Sequence, residues 1–247
     1  MAHGGLKARF PTNSSVENDK EEIRGLTSKL SMDDQVVMGL KGKEKPCLLS
    51  CSGLKAEIQE LVKRGDLDAD LVFVSKFFHG DYALLEKNIR EVLKRTLSRF
   101  PGRVILVYGD LCLGPNNEMK RLAEEYGVIK VNAVNCVDCL LGGKGKFFDL
   151  DPTHKLLLLS PGMIDFYKHL KKKALQEGID EDTFRQFFSG LKGILLLDSR
   201  EEAEKNLEET DKVNFGLEVL ETKKIRHDDL KLVILEAIER SNQTSAH

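Results

Sequence analysis

From Pro46 onward, short and mainly apolar runs alternate with longer stretches of helical periodicity, and this alternation constrains the fold more than any other feature. The runs cover 46–50, 71–74, 104–108, 128–134, 156–159 and 194–197. They lack the strict polar–apolar alternation of a strand with one wet face, so the spacing predicts strands buried on both sides. Between the first two runs, Leu54, Ile58, Leu61 and Val62 recur at helical spacing until Gly65. Between the second and third, Leu85, Ile89, Val92 and Leu93 mark one face of a helix over 82–100, closed by Pro101-Gly102. Further helices are predicted over 116–126, 164–176, 181–188, 201–209 and 229–240, with a short strand over 217–220. Strands alternating with helices imply an α/β fold with an open, mostly parallel sheet and helices on both faces, Rossmann-like in kind. The expectation is one such domain over 46–240, or two closely packed lobes of it with a break near 147–153. Residues 1–45 are polar and poor in large apolar side chains, which reads as a flexible N-terminal tail; 241–247 reads as a flexible C-terminus.

Composition matters mainly for what it excludes. A net charge of −2 and a pI near 6.3 argue against a nucleic-acid partner. The apolar runs are too short to cross a bilayer, and no secretory leader opens the chain. The expected setting is therefore cytoplasmic, with no membrane partner. At 247 residues the chain can bury a core large enough to fold without metal or disulfides. The five cysteines, Cys47, Cys51, Cys112, Cys136 and Cys139, are then packing residues, ligands or reactive thiols.

Open parallel sheets gather functional groups at the carboxyl ends of their strands. Cys51 follows the first strand, His79 the second, Cys112 the third, and Cys136 and Cys139 the fourth. If those strands are neighbours, the side chains converge. Three thiolates with an imidazole or water suit zinc, and three thiolates with an open position suit an iron–sulfur cluster. The plain alternative is packing, because free cysteine behaves as a small buried hydrophobe, and a lone histidine there is often a loop cap. Cys47, inside its strand, reads as buried. A redox Cys-x-x-Cys would open a helix; Gly142-Gly143 argues against a helix after Cys136, so thiol–disulfide chemistry is the lesser reading.

The stretch Gly142-Gly143-Lys144-Gly145-Lys146 is a candidate anion nest, although it lacks Walker spacing and no helix clearly follows it. Under that reading the chain acts on an anionic or phosphorylated substrate. The solvated turn is the plainer alternative. Gly53, Tyr108, Gly109, Asp138, Ser160 and Gly162 also lie at strand ends and are candidate pocket walls. Asp198-Ser199 occupies the equivalent place after the run 194–197, either as pocket or as helix cap.

The ordered series Cys51-Ser52-Gly53-Leu54-Lys55-Ala56-Glu57-Ile58, Phe78-His79, Tyr108-Gly109-Asp110-Leu111-Cys112, Asp138-Cys139-Leu140-Leu141 and Leu159-Ser160-Pro161-Gly162 resembles a family of domains of unknown function. It is the family numbered sixteen thirty-eight, from methanogens and other anaerobes, often encoded near corrinoid methyltransferases. The resemblance extends over 45–240. It implies a place in corrinoid-dependent one-carbon metabolism, with a corrinoid or methyltransferase protein as partner. It also matches the family's recurring cysteines to Cys51, Cys112 and Cys139, and its histidine to His79. Two departures stand out: Val137 replaces a histidine before the Asp-Cys pair, and Asp110 is inserted before Leu111-Cys112. Cys136 is the candidate substitute for the missing imidazole. The expected function is thus a cysteine-ligated metal or iron–sulfur protein, enzyme or accessory factor. A non-catalytic binder of a small molecule or partner protein, with packed cysteines, is the alternative.

Overall fold

The computed structural model describes residues 45–245; the expected tail lies outside the described residues, apart from Lys45. The fold is α/β, with two parallel sheets flanked by helices. The first sheet has the order β2-β1-β3-β4, built from β1 (Cys47–Cys51), β2 (Asp70–Val74), β3 (Val104–Val107) and β4 (Ile129–Lys130). The second has the order β5-β6-β7, from β5 (Leu156–Leu159), β6 (Gly193–Asp198) and β7 (Val219–Lys224). All pairings are parallel.

The helices follow the predicted alternation: α1 (Lys55–Lys63), α2 (Tyr82–Arg99) and α3 (Glu118–Glu125) belong to the first sheet. Two short helices, α4 (Cys136–Leu141) and α5 (Lys146–Leu150), lie in the passage between the sheets. Then come α6 (Pro161–Gln176), α7 (Glu181–Gln186), α8 (Ala203–Val213) and α9 (His227–Ser245). The last helix extends five residues past the expected end at 240. No helix among the described residues is long and apolar enough to cross a membrane.

The two sheets share a core. Leu48 and Ile105 of the first sheet lie in one buried cluster with Leu158, Leu195 and Leu197 of the second. Leu230, Val233, Ile234 and Ala237 of α9 complete that cluster at i, i+3, i+4 and i+7 spacing. Each large side chain buried there contributes roughly 1.5–3 kcal/mol of transfer free energy. The outer face of the first sheet is closed by α2 and α3 over Cys47, Leu49 and Cys51; that of the second is closed by α6 and α7 around Phe184 and Phe188.

One strand is shorter than its apolar pattern. The run 128–134 forms a ladder only over Ile129–Lys130, with one more bond from Val131 N to the Leu106 carbonyl. Beyond it, the Ala133 and Val134 carbonyls accept the amides of Asp110 and Leu111, in the turn after β3. That turn, and not another strand, satisfies the backbone.

Candidate functional site

Cys51 ends β1 and is 3% exposed. Its sulfur accepts the amide of Gly53 at 3.2 Å and so caps the short 3-10 turn Ser52–Leu54. Strand parity places Cys47, Leu49 and Cys51 on one face of the sheet, the face that also receives Tyr108 and Cys112. Burial pushes the Cys51 thiol up to about 11, against the Gly53 amide and Lys76, which favour the thiolate.

His79 stands in the 3-10 turn Lys76–Gly80 after β2. Its Nδ1 lies 3.1 Å from the Lys76 carbonyl and 4.0 Å from Cys51 Sγ. A carbonyl only accepts, so in the neutral ring Nδ1 carries the hydrogen and Nε2 is the bare lone pair. That Nε2 is buried and without a hydrogen-bond partner. The ring lies nearly parallel to Tyr108, with centroids 6.5 Å apart and 11° between planes. Phe166 of α6 meets it edge-on at 6.4 Å.

Tyr108, directly after β3, is 1% exposed, and its hydroxyl also lacks a partner. Burial raises its pKa well above the usual phenol, and Cys51, Cys112 and Cys136 would each add to the rise as thiolates. Cys112 lies in the 3-10 turn Asp110–Leu113. Burial raises its thiol, the adjacent His79 opposes the rise, and Cys136 and Cys51 reinforce it. Cys136 opens α4 with its sulfur 3.8 Å from Met163 Sδ, and burial followed by Cys51 pushes it up to about 12. Cys51, Tyr108 and Cys112 pack in one buried cluster, while Cys136 packs against the core shared by the two sheets.

Cys139 sits one helical turn deeper. It is fully buried in the shared core with Val131, Ala133, Val137 and Leu140. Burial raises its pKa most, then Cys136 and Cys112. Cys47 is buried within β1, as expected, and burial pushes it up to about 12. All five thiols are free. As the side chains stand, no three His, Cys, Asp or Glu groups among the described residues are gathered to close on one metal ion.

The Cys-x-x-Cys pair does open a helix, contrary to the reading of Gly142-Gly143 as a barrier. Gly142, at φ 103°, is the cap that ends α4, and Asn135 begins it by accepting the Asp138 amide at 2.8 Å. Burial raises both thiols, the opposite of the lowered pKa that activates a redox thiolate.

The glycine-rich stretch is also organised differently from the expectation, since a helix, α5, does follow it. Asp138 is fully buried, and its carboxylate accepts the amides of Val134 (2.8 Å), Gly145 (3.1 Å) and Phe147 (2.8 Å). The Gly143, Lys144 and Lys146 amides go to main-chain carbonyls, and Lys144 Nζ pairs with Glu236 at 2.9 Å. The nest holds the chain's own carboxylate, leaving those amides no capacity for an external phosphate.

Three expected pocket walls are close packing points. A Cβ on Gly162 would lie 2.1 Å from the Gly53 carbonyl oxygen, and one on Gly109 would lie 2.3 Å from the Asn135 amide nitrogen. Gly53 and Gly162 thus press the carboxyl ends of the two sheets together. Ser160 is buried just before α6 and makes no side-chain cap. Asp198 does not cap the helix that follows; its Oδ1 accepts the amides of Arg200 and Glu202 at 3.2 and 3.1 Å and so holds the turn between β6 and α8. The sequence reading overlooked Met163 and Phe166, whose α6 spacing reads as ordinary core, and Glu57, whose partners come from the second sheet.

The model of a family described as "Protein of unknown function (DUF1638)" matches residues 73–227. The chain belongs to that family. Within the DUF1638 match lie His79, Tyr108, Cys112, Cys136, Cys139 and Met163; Cys51 and Glu57 precede it. No curated protein and no solved structure matches the chain.

Proposed function

We propose that this chain binds a thiophilic metal ion, zinc or the iron of an iron–sulfur cluster, at the carboxyl ends of β1 and β3. Cys51, Cys112 and Cys136 supply the thiols and His79 Nε2 the imidazole; Cys139, which the family resemblance favours, lies one turn behind Cys136. The observation that carries this reading is the state of His79. Its Nδ1 is tied to a backbone carbonyl, its buried Nε2 has no close hydrogen-bond partner, and the ring lies within reach of the Cys112 thiol, whose rise it opposes. Metal-binding histidines are oriented in this way by their second nitrogen. The donors fit in kind. They are not gathered on one point, so binding is expected to bring side-chain rearrangement.

An ion held there would supply Lewis acidity toward a thiol or methyl-bearing substrate, and a cluster could also supply an electron. The chain's own contribution is a dry site. Tyr108 and Phe166 flank the imidazole, and Met163 covers Cys136. The resemblance to the family points to corrinoid-dependent one-carbon metabolism, with a corrinoid or methyltransferase protein as partner, in a cytoplasm that keeps the thiols reduced. No nucleic-acid partner is part of this reading.

Metal analysis of anaerobically purified protein tests it. The expected result is near-stoichiometric zinc or iron, lost in Cys51→Ala, Cys112→Ala and His79→Ala. Less than about 0.2 equivalent of any transition metal, unaltered by those substitutions, rejects it. That outcome favours the second reading, a non-catalytic binder with packed cysteines, which the high thiol pKa values support.

A further inference from the structure

A cleft separate from the thiols opens at the carboxyl ends of β6 and β7. Its volume is about 520 Å³, and it is walled by α1, the connection after β6 and the start of α9. Open α/β sheets take ligands at this edge, and the volume is that of a site for a small organic molecule.

Its lining carries Arg64, Arg200, Lys224 and Arg226, with His227 among them, beside the carboxylates of Glu60, Glu201 and Asp228; Arg64 pairs with Asp66 at 2.9 Å. Arg200 is fixed from behind. Its Nε donates to buried Glu57 at 2.9 Å, which holds the guanidinium in the wall. Lys224 and Arg226 are held only by surface pairs, with Glu201 at 2.5 Å and Asp228 at 2.9 Å. Such exposed pairs are worth little, so a more highly charged anion can displace the carboxylates. His227 Nε2 is buried and without a partner. His227 also begins the 19-residue α9, where the Asp229 amide donates to the Arg226 carbonyl and Asp228 and Asp229 stand in the first turn. Planar guanidinium groups match phosphate oxygens in pairs.

The geometry points to this cleft as a binding site for a small phosphate-bearing organic molecule, with Arg64, Lys224, Arg226 and His227 on the phosphate and Arg200 as the fixed wall. The site stands or falls apart from the metal reading, since none of its groups belongs to the thiol cluster.

Isothermal titration at low salt with AMP, pyrophosphate and inorganic phosphate tests it. AMP is expected to bind with a Kd of about 1 mM or tighter, and more tightly than inorganic phosphate, because the cleft is larger than one phosphate. The double variant Lys224→Ala/Arg226→Ala should weaken AMP at least about tenfold. Both side chains are exposed, so the fold should survive, as circular dichroism would show. Cys51→Ala and the control Lys172→Ala/Lys173→Ala should leave the affinity unchanged. Absence of binding up to about 10 mM, equal affinity for AMP and phosphate, or equal loss in the control overturns the assignment.

Discussion

Glu57, near the start of α1, accepts the guanidinium Nε of Arg200 at 2.9 Å across 143 residues of chain, and Ser199 Oγ donates to the same carboxylate oxygen at 2.7 Å. Glu57 belongs to the first sheet's connections and its two donors to the second's. One buried carboxylate thus joins the carboxyl edges of both sheets.

Removing that carboxylate should loosen the joint. Glu57→Ala strands a hydroxyl and a guanidinium that is only 30% exposed. The expected loss is about 2 kcal/mol, less than for a fully buried pair because Arg200 can turn partly to water. Urea denaturation measures it. Ser199→Ala, which removes one donor and leaves the charge pair, should cost about 1 kcal/mol.

The joint has a steric half as well. Gly162→Ala places a methyl group 2.1 Å from the Gly53 carbonyl oxygen, where only backbone can yield. A loss of about 3 kcal/mol is expected. Gly190→Ala meets nothing within 4 Å and should be close to neutral. Thermal melts of the two variants side by side decide the point; equal melting temperatures would rule out the close packing of the two sheets.

Stability should depend on pH through the buried thiols. Cys51 is raised to about 11, and Cys47 and Cys136 to about 12, by burial. An unfolded cysteine ionises near about 8.5. Below that pH both states are protonated and the thiols leave stability unchanged. Above it the unfolded chain loses protons first, so the thiols' contribution is lost as pH climbs from about 9 toward 11–12. Urea midpoints at rising pH should fall across that window, and alkylation of the native protein near neutral pH should be far slower than of the unfolded chain. Zinc binding, which needs thiolates, should release protons and tighten as pH rises.

Asp138→Asn keeps the size of the side chain but turns an amide donor toward amides that already donate. A loss of about 2 kcal/mol is expected, read by urea denaturation. Lys144→Ala breaks only an exposed pair with Glu236 and should cost less than about 1 kcal/mol.

The buried strands were legible because burial on both faces leaves an unbroken apolar run, as in Val104 to Val107. β7 was misplaced because it is a polar edge strand, Val-Leu-Glu-Thr-Lys-Lys, whose ladder with β6 replaces any hydrophobic signal. Helix α4 was hidden by its length of six residues, too short for periodicity to register, and by a glycine pair whose first member is its cap. The strand-end rule placed Cys51, His79 and Cys112 at the ends of β1, β2 and β3 from order alone. It had no means of finding Glu57, which looks like any helix-face carboxylate until a partner from the other sheet arrives. Nor could it foresee that the anion in the glycine-rich nest is a residue of the same chain.

That internal anion has a mechanical consequence. Asp138 grips the amide of Val134 ahead of α4 and those of Gly145 and Phe147 behind it. Cys136 and Cys139 ride on the short helix between these anchors. Both flanks of the helix are thus tied to one carboxylate, and backbone motion that moves one sulfur is expected to move the other while that carboxylate holds.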